Sequence, residues 1–260
     1  MAYAPFDLTG KVDLVTGGNG GIGLGMADAM AQAGARIVVW GTNEEKNRAA
    51  EAGLAKHGVK VISRKVDVSS ESEVALAMKE AVAAMGRIDT VIANAGIGSG
   101  ARSFLEMTTE QYRKVLSVNL DGVFFTMREA ACHMRERAAT GDKGGSLVGI
   151  ASVAAIDGAA RNEHYAASKG AVISMMRSIA VEFARDGVRA NTILPGWIAT
   201  DMTAAAQNSP AFTEKVIPRV PMRRWGEPED FSGLAVYLAS DASKFHTGDA
   251  FVIDGGYTIY

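Results

Sequence analysis

Thr16-Gly17-Gly18-Asn19-Gly20-Gly21-Ile22-Gly23 follows the apolar run Val12 to Val15 and opens a helix-patterned stretch that ends near Gly34. A strand, a glycine turn and a helix are implied. Gly17 turns the chain with no side chain in the way, Gly21 lets a bound group reach the backbone, and Gly23 lets the helix lie close on the strand. The unpaired N–H groups at the helix start, together with its dipole, favour an anion, so the turn is a seat for a pyrophosphate. A glycine-rich loop before a helix is also a plain tight turn in many chains. With Gly at 29 of 260 residues, context has to decide.

That context is regular alternation. Arg36 to Trp40, Lys60 to Asp67, Thr90 to Ala93, Gly145 to Ile150, Val188 to Leu194 and Ala250 to Ile253 read as further strands. Thr42 with Glu45, Ser70 with Glu73 and Thr108 with Gln111 have capping-box spacing, and each opens a helical pattern. The third pattern runs toward Arg137 with a break expected near Asp121-Gly122; others span His164 to Arg185 and Pro228 to Ser240. No linker or repeat divides residues 1–260. The expectation is one α/β domain, a doubly wound parallel sheet with helices on both faces and ligands beyond the carboxyl ends of the strands. Residues 197–225 are the least regular and are expected to form a substrate lid.

A formal charge of −2, with charges dispersed, leaves no basic stripe for nucleic acid and no polybasic membrane patch. The expected partner is a small molecule. Cys132 is the single cysteine and lies in an apolar helical run, where a buried structural thiol is expected. Met1-Ala-Tyr-Ala-Pro-Phe-Asp7 has no basic n-region or apolar core. A cytoplasmic location is expected. His57, His133, His164 and His246 lack ligand spacing, so no metal site is expected.

Tyr165-Ala-Ala-Ser-Lys169 places a phenol and an ammonium four residues apart, on one face of a helix. A nearby ammonium favours the phenolate and brings a group with a pKa of about 10 toward useful acid–base strength. Taken alone, the pair also reads as an ordinary solvated helix face. Ser152 follows strand five, and Asn119 lies in Ser117-Val-Asn-Leu-Asp-Gly122. With these pieces the chain resembles the short-chain dehydrogenase/reductase family in its short single-domain form. That pattern is a TGxxxGxG turn, an NAG turn, an Asn, a Ser about thirteen residues before YxxxK, and a PG turn followed by a Thr. Here they are Thr16 to Gly23, Asn94-Ala95-Gly96, Asn119, Ser152, Tyr165 with Lys169, and Pro195-Gly196 with Thr200. Ala93 stands where the family usually has a further Asn.

The resemblance implies a Rossmann fold that binds NAD or NADP and exchanges a hydride with a secondary alcohol or ketone. It implies that Tyr165 exchanges a proton with the substrate oxygen while Ser152 donates a hydrogen bond to it. Lys169 would bind the ribose hydroxyls and lower the phenol pKa, and Asn119 would hold a water on the proton path. Gly17, Asn19, Gly21, Ile22, Gly23, Asn94, Ala95 and Gly96 are expected cofactor contacts. Asp67 and Val68 would meet the adenine, and Pro195, Gly196, Ile198 and Thr200 the nicotinamide end. A homotetramer is implied as well, with residues 109–138, 163–186 and the last strand as interfaces.

Cofactor choice turns on the residues after strand two. An acid there accepts from the ribose 2′-OH of NAD, whereas a basic residue pairs with the 2′-phosphate of NADP. This chain has Gly41-Thr42-Asn43, and Gly20 stands where NADP users often carry Arg. The missing cation favours NAD, with NADP possible; Thr42 and Asn43 contact either form or cap the helix. Among family members the general likeness is to 3-oxoacyl-thioester reductases and to polyol or gluconate-type dehydrogenases. Arg223-Arg224 could attract an acidic carrier. A dinucleotide-binding redox sensor would not need Ser152, Tyr165 and Lys169 together, and an isomerase or dehydratase on this scaffold would show no net hydride transfer. Asp13, in the first strand, is expected at the strand's beginning or hydrogen-bonded.

Overall fold

A computed structural model describes residues 4–260; Met1, Ala2 and Tyr3, the start of the stretch read as lacking a leader, lie outside the described residues. Seven strands, β1 (Val12–Thr16), β2 (Arg36–Gly41), β3 (Val61–Lys65), β4 (Thr90–Ala93), β5 (Gly145–Ile150), β6 (Val188–Pro195) and β7 (Ala250–Ile253), form one sheet. Their order is β3-β2-β1-β4-β5-β6-β7, and every pairing is parallel. The direction of winding reverses between β1 and β4, where such sheets leave a crevice at their carboxyl ends.

The helices are α1 (Gly21–Gln32), α2 (Glu44–Leu54), α3 (Glu71–Met85), α4 (Thr109–Leu116), α5 (Gly122–Ala139), α6 (Glu163–Phe183), α7 (Ala204–Gln207), α8 (Pro210–Val216) and α9 (Ser232–Ala239). Alternate residues of a strand point to opposite faces, so two cores form. Val12 and Leu14 of β1 join Met78, Met127 and Met176 from α3, α5 and α6. Val15 joins Met26, Met30 and Leu238 from α1 and α9 on the other face. This is the doubly wound α/β arrangement expected of the sequence.

Local readings differ in detail. The cap of α2 is Asn43, whose side chain accepts from Lys46 N at 3.0 Å, and not Thr42. Ser70 caps α3, but Glu73 accepts from Asp67 N and does not close a box. Thr108 and Gln111 do form a full capping box. A π-helical turn, Ser117–Asp121, separates α4 from α5 at the expected break. Residues 197–225 are locally regular, carrying α7, α8 and short 3-10 turns. Cys132 is exposed, because it lies on the outer face of α5 while Ala130, Ala131 and Met134 take the buried face. Asp13 is the second residue of β1 and fully buried. Among the described residues, no helix is long and apolar enough to cross a membrane, and no three His, Cys, Asp or Glu side chains are grouped to hold a metal.

Candidate active site at the carboxyl end of the sheet

The crevice between β1 and β4 is laced shut at its base. Thr16 Oγ1 accepts from the backbone N–H groups of Asn94 and Ala95, at 3.0 Å each. Asn94 Nδ2 donates back to the carbonyls of Thr16 and Gly17, at 3.1 and 3.2 Å. Gly17 and Gly21 have φ of 63° and 50°, in the left-handed region that glycine adopts without strain. A methyl on Gly23 would collide with the Asn94 amide and the Gly17 carbonyl, so Gly23 lies beneath the turn and makes room for it. Gly20 caps α1 with no side chain, which leaves the first helical amides to an anion.

A cavity of about 470 Å³ opens over this turn. Gly17, Asn19, Gly21 and Ile22 form its floor, with Asn94, Ala95, Gly96 and Thr200 toward the sheet centre and Thr42, Asp67 and Val68 at the far end. A glycine floor, open amides and an apolar wall fit a dinucleotide. Asp67 also caps its own turn, accepting from Ser69 N at 2.9 Å and Ser69 Oγ at 2.7 Å; those bonds hold its carboxyl below the ordinary range. Asn43 is spent on capping α2 and does not line the cavity.

Three charged residues that no sequence pattern marks, Lys46, Lys114 and Asp201, also line it. Lys46, in the first turn of α2, pairs with Asp201 at 2.6 Å. The leaning toward NAD assumed that no cation stood near the end of β2. Lys46 is such a cation, one helical turn further on than the loop positions that were read.

A second cavity, of about 460 Å³, shares Ile22, Asn94, Gly96, Thr200 and Met202 with the first, so the two form one cleft. Ser152, Tyr165, Lys169, Pro195, Gly196 and Ile198 line this half. Ser152 follows β5 and caps a 3-10 turn, its Oγ accepting from Ala154 N at 3.1 Å and bonding the Tyr165 phenol. Tyr165 lies in the first turn of α6. One turn later, Lys169 places Nζ 5.6 Å from the phenol ring centre and donates to Ile150 O at 2.8 Å.

Asn119 reaches the same place from the π-helical turn. Its Oδ1 accepts from Ile97 N at 2.8 Å, and its Nδ2 donates to Ile97 O at 2.9 Å and toward Ser168 Oγ at 3.4 Å. Ser168 Oγ in turn donates to Tyr165 O at 2.7 Å. Both ends of the Asn119 amide are therefore occupied by protein, which leaves its side chain a clamp on the loop after β4. A methyl on Gly96 would lie 3.3 Å from Asn119 Oδ1 and 3.4 Å from Lys169 Nζ, so Asn119 and Lys169 converge there.

Burial dominates the electrostatics. The Lys169 ammonium is pushed down to about 8 because it is desolvated with no carboxylate beside it. The Tyr165 phenol is raised by burial, and the Ser152 bond opposes that rise. The expected lowering of the phenol by Lys169 is thus outweighed: the ammonium is engaged by the Ile150 carbonyl, and desolvation disfavours the phenolate.

The outer wall is apolar, with Val153, Ala154, Trp197, Met202, Phe212 and Tyr257. Trp197 meets Phe212 edge-on at 5.0 Å and Tyr257 at 6.4 Å. Phe212 comes from α8, inside the 197–225 segment expected over the substrate, and Tyr257 from the C-terminal end, where no local signal marks it. Asn162 lines the cavity; Arg161 and Glu163 do not. Arg224 is paired with Asp230 at 2.7 Å, whereas Arg223 donates to the neutral Pro218 carbonyl and keeps its charge.

Comparison with known proteins accords with this geometry. A family model described as Enoyl-(Acyl carrier protein) reductase matches residues 17–258. The chain belongs to the short-chain dehydrogenase/reductase family. As members of that family, the L-rhamnose 1-dehydrogenase (NAD(P)(+)) of Azotobacter vinelandii is 35% identical, across 96% of this chain and 97% of that one. The 3-oxoacyl-[acyl-carrier-protein] reductase of Chlamydia pneumoniae is 34% identical, across 96% and 98%. A gluconate 5-dehydrogenase from Burkholderia cenocepacia, solved with NADP and tartrate, superposes with a TM-score of 0.93 at 34% identity, covering 99% of this chain and all of that one. This short-chain dehydrogenase/reductase is an NAD(P)-dependent oxidoreductase. A preference for NAD finds no support among these relatives.

Proposed function

We propose that the cleft reduces a ketone bearing an apolar substituent, of the 3-oxoacyl thioester kind, with Tyr165, Ser152, Lys169 and Asn119 as its working residues. The observation that carries this reading is the apolar outer wall of Val153, Ala154, Trp197, Met202 and Phe212. Polar groups such as Asp157, Asn162 and Thr203 also line the cavity, but among the described residues its one basic side chain is Lys169, which is buried and donates to Ile150 O, so none is left for a substrate carboxylate. A sugar acid would need a partner for its carboxylate and for its row of hydroxyls. Trp197, Phe212 and Met202 instead suit an acyl chain.

In this reading Ser152 donates a hydrogen bond to the substrate oxygen and Tyr165 gives that oxygen a proton. Burial raises the phenol above its ordinary range, so it meets a ketone substrate in the protonated form that can act as an acid. Lys169 would hold the ribose hydroxyls of the dinucleotide, and Asn119 fixes the loop on which Gly96 and Ile97 lie. The open amides of α1 would hold the pyrophosphate. When bound, the nicotinamide supplies the hydride.

Lys46 supports use of NADP by pairing with its 2′-phosphate, in place of the NAD preference. Residues 197–225 act as the lid, since Trp197, Met202 and Phe212 come from it. A homotetramer is part of the proposal. Exposed Phe124 on α5, Val181 on α6 and Val252 on β7 lie on its expected interfaces. So is a cytoplasmic location, which suits a lone exposed thiol.

The test is Tyr165→Phe assayed by nicotinamide absorbance with acetoacetyl thioester and with 5-keto-gluconate. The wild type should turn over the thioester with the higher kcat/KM, and the variant should keep dinucleotide affinity while losing at least about a hundredfold in kcat. Near-normal turnover by the variant would refute the role of Tyr165, and a preference for the sugar acid would refute the substrate class.

A further inference from the structure

Lys46 and Asp201 are 155 positions apart, one in α2 and the other at the start of the lid, and they close on each other at 2.6 Å across the dinucleotide half of the cleft. The Lys46 ammonium holds the Asp201 carboxyl below its ordinary range. Asp201 is held in place by its neighbour. Thr200 packs on the glycine turn, where a methyl on Gly21 would lie 3.2 Å from Thr200 Cγ2, and its carbonyl accepts from Gln207 Nε2 at 3.0 Å.

The other charges nearby are placed differently. Glu44 faces Arg48 and Lys65, at 3.8 and 3.5 Å, and does not line the cavity. Lys114 does line it, beside Asp67, whose carboxyl it helps to keep ionised. Lys65 is the register partner of Gly41 but does not line the cavity, which leaves Lys46 as the lining cation on the helix that follows Gly41 and Thr42.

We infer that Asp201 sets the choice between the two dinucleotides by occupying Lys46 in place of a 2′-phosphate. The inference rests on the reading that Lys46 faces the ribose 2′ position. A phosphate there must take the ammonium away from Asp201 and then lies near a carboxylate of its own sign; a 2′-hydroxyl leaves the ion pair intact. The lid thus carries a built-in competitor for one cofactor and not the other. Both partners are well exposed, at 53% and 88% of their side-chain surface, so the effect is a tuning of affinity and not an exclusion.

The test is calorimetric titration of the full-length protein with NADP⁺ and with NAD⁺, using wild type, Asp201→Asn, Lys46→Gln and the double variant. Asp201→Asn should tighten NADP⁺ by about threefold to fivefold, the range an exposed ion pair supports, and leave NAD⁺ within about twofold. Lys46→Gln should weaken NADP⁺ by about tenfold, the scale of one charge-assisted contact to phosphate, and again leave NAD⁺ nearly unchanged. In the double variant the gain from Asp201→Asn should vanish. If Lys46→Gln moves neither cofactor, or both alike, the placement of Lys46 at the 2′ position is wrong. If Lys46→Gln is selective but Asp201→Asn is silent or weakens both cofactors, Lys46 keeps its role and the competition is refuted.

Discussion

Replacing Asp13 by Asn should change how the stability of this fold depends on pH. Asp13 lies inside the central strand β1, fully buried, opposite Ile37 on one side and Thr90 on the other. The Thr90 hydroxyl beside it favours the carboxylate, yet neither carboxylate oxygen has a well-formed hydrogen bond. Desolvation therefore prevails, and the carboxyl is pushed up from its ordinary 3.8 to about 7. Below pH 4 the acid is protonated both folded and unfolded, and costs nothing differential. Between pH 4 and 7 the unfolded chain has released its proton while the folded chain still holds it, so stability falls as pH rises, and it stays reduced above 7. At 1.36 kcal/mol for each tenfold change, a rise of that size amounts to about 4 kcal/mol. Asn keeps the shape and does not titrate. Urea unfolding of both proteins followed by circular dichroism, from pH 4.5 to 8, isolates this one group because the other titrations cancel in the difference. The variant should gain on the wild type steadily up to about pH 7 and then level off. A difference constant to within about 1 kcal/mol would show that Asp13 does not titrate in this range, and the desolvation argument would fall.

Two further substitutions probe the cleft. Gly23→Ala puts a methyl against the Asn94 amide and the Gly17 carbonyl; overpacking of about 1–3 kcal/mol should spread the turn and weaken dinucleotide binding at least tenfold by fluorescence titration, and unchanged affinity would disprove the cradle. Asn119→Ala strips Ile97 of partners for both its N–H and its carbonyl. A loss of about 2–4 kcal/mol in urea unfolding is expected, together with slower turnover, and a stability within about 0.5 kcal/mol of wild type would show that the clamp is dispensable.

The parts of this protein that were legible in its sequence share one property: their meaning is local or depends only on order along the chain. Glycine at 17, 21 and 23 answers a backbone requirement, and Thr108 with Gln111 closes a cap within four residues. Tyr165 and Lys169 share a helix face. The readings that failed turned on which of several nearby groups wins a partner or the buried face of a helix. Asn43 outcompeted Thr42 because its carbonyl oxygen reaches Lys46 N. Glu73 turned away from Ser70 because the Asp67 amide, set by the turn after β3, was nearer to hand. Cys132 is exposed because α5 has a second, outward face that an apolar composition hides.

Dependence on strand order also explains why residues of the candidate site could be anticipated and the charge pair could not. In an all-parallel sheet every loop that follows a strand emerges on one edge. Residues 16–23 follow β1, 94–96 follow β4, Ser152 follows β5 and 195–200 close β6, so strand order alone delivers them to one crevice whatever the helices do. Lys46 belongs to the body of a helix, Asp201 to the segment after β6 and Tyr257 to the C-terminal end; nothing in the alternation of strands obliges them to meet. Their positions are set by how elements pack over the crevice. The loops after the strands thus gather residues that strand order alone places, whereas Lys46, Asp201 and Tyr257 reach the cleft only through the packing of the folded chain.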